Sequence, residues 1–269
     1  MSEFFDTHAH LDYPDFAADF TDVLARARAV GISRVIAIGT DAESSRRVIE
    51  LAEGHEMIFA VVGWHPNDAA AAPEDVRPLL RSLARHPKVV ALGETGLDYY
   101  RLPGTRGENA AEDAPIKLRQ AALFRQHLEV AAETGLNCVI HQRGDCFADT
   151  LAVLEPFADR VRGQFHCFAG TRAELERVLA LNSLVSFTGI ATFKNGQNVR
   201  DRIAATPADK LMLETDCPFL APVPYRGKRC EPAFVREIAA TVAEVKGCSL
   251  KALSQATCAT ARAFFPKLR

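Results

Sequence analysis

Eight short apolar runs, each followed by a segment with helical spacing, constrain this chain more than any other feature. They are "FFDTHAHL" (4 to 11), "RVIAIG" (34 to 39), "IFAVVG" (58 to 63), "VVALGE" (89 to 94), "NCVIH" (137 to 141), "GQFHCF" (163 to 168), "LVSFTG" (184 to 189) and "LMLETD" (211 to 216). Runs this short, rich in Val, Ile and Phe and bounded by Gly or polar residues, read as strands buried on both faces. Between them, Phe20, Val23, Leu24, Ala27 and Val30 fall on one helical stripe, and so do Leu123, Phe124, Leu128, Ala131 and Ala132. Alternating β and α elements predict a parallel sheet of the α/β class, and eight units predict closure into a (β/α)8 TIM barrel. A doubly wound open sheet is the alternative. A length of 269 residues suits one barrel, so residues 1–269 are expected to form a single domain. There is no internal repeat and no low-complexity segment.

One stretch breaks the rhythm. Residues 101 to 117, "RLPGTRGENAAEDAPIK", are rich in Gly, Pro and acidic groups. They are expected to form an exposed loop after strand four, a solvated insertion in preference to a lid. The formal net charge of -2 leaves no global attraction for nucleic acid or an anionic membrane, so a polyanionic substrate would need local charge. No apolar run approaches a bilayer span, and residues 1 to 5 lack the features of a signal peptide. The seven cysteines form no C-x-x-C pair and are odd in number, which predicts free thiols and a cytoplasmic protein.

The first run sets Asp6, His8, His10 and Asp12 at every second position, so a strand would carry all four on one face. Burying such a face without partners costs several kcal/mol per group, and a cation bound by the two imidazoles would satisfy it. A solvent-facing edge strand is the plain alternative for this motif alone. Other ionisable groups follow the same rule of placement: His65, Glu94, His141, His166 and Asp216 each stand at the C-terminal end of an apolar run. In barrels that end carries the active site. His55, His86 and His127 fall in or beside helical segments and read as surface or capping residues.

Four histidines and two carboxylates suffice for two divalent ions. His8, His10 and Asp216 would hold one, His141 and His166 the other, and Glu94 would bridge them. His65 reads equally as a ligand or as a substrate contact, because "GWHPND" is also a turn. Such ion pairs stand about 3.5 to 4 Å apart and activate a water for in-line displacement. Nitrogen ligands favour Zn, Mn, Co or Fe over Mg in intrinsic affinity.

These residues sit in "DTHAHLD" at 6, "GWHP" at 63, "GETGLDYY" at 93, "IHQR" at 140, "FHCFAG" at 165, "SFTGIATFKN" at 186, "ETDCPFLAP" at 214 and "RGKRCEP" at 226. In that order and over nearly the whole chain, the motifs resemble the TatD-type metal-dependent deoxyribonucleases of the amidohydrolase-like superfamily. The resemblance implies metal ligation by His8, His10, Glu94, His141, His166 and Asp216, with His65 lining the phosphate site. It also implies hydrolysis of DNA phosphodiester bonds from a 3′ end, on single strands or frayed ends, with two divalent ions drawn from Mg, Zn or Mn. The chain departs from the family pattern in the longer loop at 101 to 117, in "HQRGD", and in Cys230, where an Asn is common.

In the expected chemistry Asp216 accepts a proton from the attacking water, and Glu94 is the second catalytic carboxylate. Arg143, two residues past His141, is the leading phosphate contact, followed by Lys194 and Arg226, then Lys228 and Arg229. Trp64, Tyr99, Tyr100 and Phe168 are candidates to stack on a terminal base. No protein partner and no membrane are expected. A barrel amidohydrolase cleaving a C–N or ester bond is the competing reading. Such enzymes often bridge their metals with a carboxylated lysine on strand four, where this chain ends in Glu94 and has Lys88 only at the strand's opposite end.

Overall fold

A computed structural model describes residues 2–268. Its elements run β1 (Phe4–Ala9), α1 (Phe20–Ala29), β2 (Ile32–Ile38), α2 (Ala42–Gly54), β3 (Ile58–Val62), α3 (Arg77–Ala84), β4 (Val89–Asp98), α4 (Asp113–Thr134), β5 (Asn137–Arg143), α5 (Phe147–Leu154), β6 (Gly163–Phe165), α6 (Arg172–Ala180), β7 (Leu184–Phe187), α7 (Gln197–Ala205), β8 (Leu211–Leu213), α8 (Val235–Lys246) and α9 (Leu250–Phe264). The strands pair in sequence order, all parallel. Closure onto β1 is made just past β8 by a parallel bridge between Ala9 and Cys217. Two backbone bonds support it, Asp216 N to His8 O at 2.9 Å and His10 N to Cys217 O at 2.8 Å.

Every strand has both faces covered, and the alternation of side chains sorts them into two cores. Phe4, Val35, Ile58, Ala60 and Leu211 pack outward with the helices, including Val23, Leu24 and Ala27 of α1 and Leu123, Phe124, Leu128 and Ala131 of α4. Phe5, Ile36, Phe59, Val61, Val90, Val139, Leu184 and Met212 point inward. α9 is an element beyond the eight expected units. Its Cys258, Ala261 and Phe264, with Phe265 and Leu268 after it, join the inward cluster and cover the end of the barrel away from the strand C-termini. Each buried Phe contributes about 1.5 to 3 kcal/mol.

Two expectations change here. Segment 101 to 117 is less of a loop than its composition suggests, because α4 starts at Asp113 and two 3-10 turns, Gly104–Arg106 and Ala110–Glu112, order what precedes it. Leu102 is buried against Leu97, Tyr99 and Cys146, and Asp113 accepts from Gly104 N at 2.9 Å. Asp6, His8, His10 and Asp12 also fail to share one face, because the register of β1 shifts between Asp6 and Ala9 and the strand ends at Ala9. Asp12 turns away to accept from Ser44 and Arg47, while Asp6 takes both the N–H and the hydroxyl of Thr215, at 2.9 and 2.6 Å. Among the described residues no helix is long and apolar enough to cross a membrane.

Candidate metal centre

Parallel strands aim their last residues at a common mouth, and this one gathers ionisable groups. His8 lies in β1 and His10 just after it, Glu94 in β4, His141 in β5, His166 one residue past β6, and Asp216 three past β8. His65 follows β3 in a short turn in which its Nδ1 accepts from Asn67 N at 3.1 Å. The ends of β3 and β4 come together because position 63 is glycine. A Cβ there would stand 2.6 Å from the Gly93 carbonyl oxygen and 2.7 Å from the ring of His127.

The side chains converge on Glu94. Its Oε1 is 2.8 Å from both His141 Nδ1 and His166 Nε2 and 3.7 Å from His65 Nε2. Its Oε2 is 3.4 Å from His8 Nε2 and 3.7 Å from His10 Nε2. Asp216 Oδ1 closes the other side, 3.6 Å from His8 and 3.4 Å from His10. The rings of His8 and His166 are stacked, with centroids 4.0 Å apart.

The electrostatics follow from this crowding. Burial alone would push the Glu94 carboxyl up, but His166, His65 and His8 and the bond from His141 hold it well below the usual carboxylate range. Burial works against a charge on His166 too, yet Glu94 and Glu214 raise it well above an ordinary imidazole. For Asp216 burial is outweighed by the bond from His10 and the nearby imidazoles, so it stays ionised more readily than a free Asp. His65, whose Nε2 meets another imidazole, His141, at 3.2 Å and Glu94 only at 3.7 Å, is lowered by burial to about 3.

The donor set fits divalent metal. Among the described residues, His8–His10–Asp216, His8–Glu94–His166 and His65–Glu94–His141 each bring their ligand atoms within 4.8 Å of one another and could hold an ion. His8 Nε2 and Glu94 Oε2 are buried, face each other and have no hydrogen-bond partner, a costly arrangement that a cation between them would relieve. His65 lies within reach of the candidate ligand atoms of Glu94 and His141, while the sequence left it between ligand and substrate contact.

Two carboxylates that sequence reasoning missed fix this set. Asp98 Oδ2 lies 3.2 Å from His141 Nε2, so with an ion bound at Nδ1 the ring's proton would sit on Nε2, facing Asp98. Glu214, fully buried, accepts from Ser186 Oγ, Gln164 Nε2 and the Cys167 N–H, and stands 3.7 Å from His166 Nδ1. Its place in "LMLETD", two residues before Asp216, was the available signal.

A cavity of about 760 Å³ opens above the centre, lined by His10, His65, Glu94, His141, His166 and Asp216. Arg143 and Arg101 also line it, the latter unforeseen. Lys194 and Arg226 are not among the lining residues, and Arg226 lies over the Phe193 ring. Lys228 lies over Tyr225, and Arg229 is paired with Asp19. Of the candidate stacking residues, Trp64 and Tyr99 are buried in the core, Phe168 lines the cavity while largely buried, and Tyr100 is 55% exposed. His127 is a correction. It is fully buried, accepting from Trp64 N at 3.1 Å, with its Nδ1 2.8 Å from Leu123 O. Lys88 is far from the mouth, bonded to the carbonyls of Glu56 and Ile58.

Comparison with known proteins matches residues 5–266 to the family model described as TatD related DNase. A metal-dependent hydrolase of Bacillus subtilis named YabD is 36% identical, covering 97% of this chain and 98% of its own. A protein of Enterobacter lignolyticus named 3′-5′ ssDNA/RNA exonuclease TatD is 35% identical, covering 97% and 98%. The crystal structure of YJJV, a TatD homologue from Escherichia coli, superposes with a TM-score of 0.86 at 27% identity, covering 98% of both chains.

Proposed function

The chain belongs to the TatD related DNase family, and from that premise we propose that it is a metal-dependent deoxyribonuclease, a 3′ to 5′ exonuclease on single strands, acting through one catalytic barrel. The observation that carries the reading is the convergence of His8, His10, His141, His166 and Asp216 around Glu94 at the floor of one cavity, which all of them but the buried His8 line. Relatives named as a metal-dependent hydrolase and as an exonuclease on single-stranded DNA and RNA support it. His8, His10 and Asp216 would hold one divalent ion and His141 and His166 a second, with His65 beside them and Glu94 between. When bound, two such ions (Mg, Zn or Mn) would make a water nucleophilic near neutral pH and offset charge on the phosphate.

The chain's own groups do the rest. Asp216, ionised and facing the cavity, takes the proton of the attacking water. Asp98 orients the His141 ring through Nε2, and Glu214 anchors the Cys167 backbone beside His166. Arg143 and Arg101 supply the local positive charge that a chain of net charge -2 lacks globally. A cavity of this size admits an unpaired terminal nucleotide without unstacking bases on both sides of the cut, which favours an end over an internal phosphate. Seven free cysteines suit action in a reducing cytoplasm.

The test is incubation of the metal-loaded protein with labelled linear DNA blocked at either terminus, with circular single strands, with RNA and with a panel of amides. Loss of the free 3′ end's nucleotides is the expected result. Rapid cutting of circles would refute the exonuclease reading, and turnover of amides alone would replace a nuclease with an amidohydrolase.

A further inference from the structure

We propose that Tyr100 and Arg143 form a stacking platform for a nucleobase of the strand whose phosphate enters the cavity. The inference rests on the nuclease reading and adds the part of the substrate that the platform recognises. Tyr100 is one of few large apolar side chains left exposed, at 55%. Its ring centroid is 4.1 Å from the guanidinium carbon of Arg143, and Arg143 lines the cavity at whose edge Tyr100 stands, between the lining residues Arg101 and Arg143. Its neighbour Tyr99 is unavailable, being buried with its hydroxyl donated to Asp149 at 2.8 Å.

The ring stands on a fixed frame. The N–H groups of Tyr100 and Arg101 both donate to Asp98 Oδ1, at 3.0 and 3.1 Å, while Asp98 Oδ2 holds His141 at 3.2 Å. One buried carboxylate therefore ties the aromatic turn to a residue at the metal centre. From the other side the backbone of Gly144 presses so close that a Cβ there would lie 2.6 Å from Tyr100 N, and the φ of +85° suits glycine. Thr105 Oγ1 adds a bond to the Tyr99 carbonyl at 2.9 Å. A planar guanidinium on a tyrosine face offers two flat surfaces that any base can stack on, with little side-chain freedom left to lose. Sequence-tolerant binding of a base beside the scissile phosphate is what such a surface provides.

The experiment compares Tyr100→Leu, Tyr100→Phe and the parent, each folded by circular dichroism, on strands intact or abasic at the last two 3′ positions. The expected result is that Tyr100→Leu lowers the ratio of kcat/KM for intact over abasic strands about tenfold and Tyr100→Phe restores it. An unchanged ratio in Tyr100→Leu overturns the platform. A second arm is independent of turnover: a strand carrying 2-aminopurine at those positions is titrated with each protein in EDTA. Quenching by the parent and by Tyr100→Phe but not by Tyr100→Leu supports stacking. Equal quenching by Tyr100→Leu, or none by the parent, overturns it. A parent that quenches but cleaves no DNA with any metal removes the nuclease reading and leaves the platform standing.

Discussion

Asp98 Oδ2 stands 3.2 Å from His141 Nε2 as its acceptor, and Glu94 Oε1 lies 2.8 Å from the ring's other nitrogen, so two carboxylates hold the imidazole in one orientation. Removing that acceptor should release the ring without removing a donor from the centre. Asp98→Ala is expected to weaken metal binding about 10- to 100-fold, read by competition with a chromogenic chelator, with activity partly recovered in excess metal. Parental affinity would show that packing alone orients His141.

Asp216→Asn keeps the side chain's volume but cannot accept a proton, so hydrolysis should fall by about 100-fold or more while circular dichroism stays parental. Near-parental turnover would remove Asp216 from proton transfer.

Replacing both His8 and His10 with Ala takes away two of three groups in one candidate site. Elemental analysis after dialysis should find at least one metal fewer per chain, and unchanged stoichiometry would sink the assignment.

Arg143→Ala is expected to raise KM for DNA and leave metal content alone. Arg226→Ala, whose guanidinium lies over Phe193 away from the cavity lining, should cost less. The reverse order would move the strand's path to the Arg226 side.

His127 gives a pH prediction. Burial lowers its pKa from the ordinary imidazole value of 6.5 to about 4, so between those values the unfolded chain binds more protons than the folded one. Its contribution is fully present above pH 6.5 and is lost as pH falls toward 4, up to about 3 kcal/mol in all. Urea melts of metal-free protein should weaken across that window, and His127→Gln should show a shallower loss. Identical slopes would mean that other groups carry the acid sensitivity.

The barrel was legible because strands buried on both faces leave uninterrupted apolar runs, and all eight became strands. Strand lengths were less so. "VVALGE" breaks at Glu94, yet β4 continues to Asp98 because β5 pairs with it from Ile140 to Arg143, and tertiary pairing leaves no mark on a polar sequence. Asp98 was hidden for that reason. His127 was readable in principle, since it sits three and four residues from Phe124 and Leu123 on the apolar stripe of α4. The residues at strand ends that share a cavity could be named from their spacing. Among the basic residues, Arg143 could be named the same way, from its place two residues past His141, but Arg101 and Arg226 could not be sorted, because both belong to loops whose course depends on packing.

The seam where β1 meets the segment after β8 joins positions 208 residues apart, His8 and Asp216. A ribosome delivers the first imidazoles early and the last carboxylate only when four-fifths of the chain has emerged. A nascent chain, or a fragment truncated anywhere before Asp216, therefore lacks a complete centre whatever else has folded. For an enzyme that would cut nucleic acid, this makes synthesis itself a safety catch, released by the final strand.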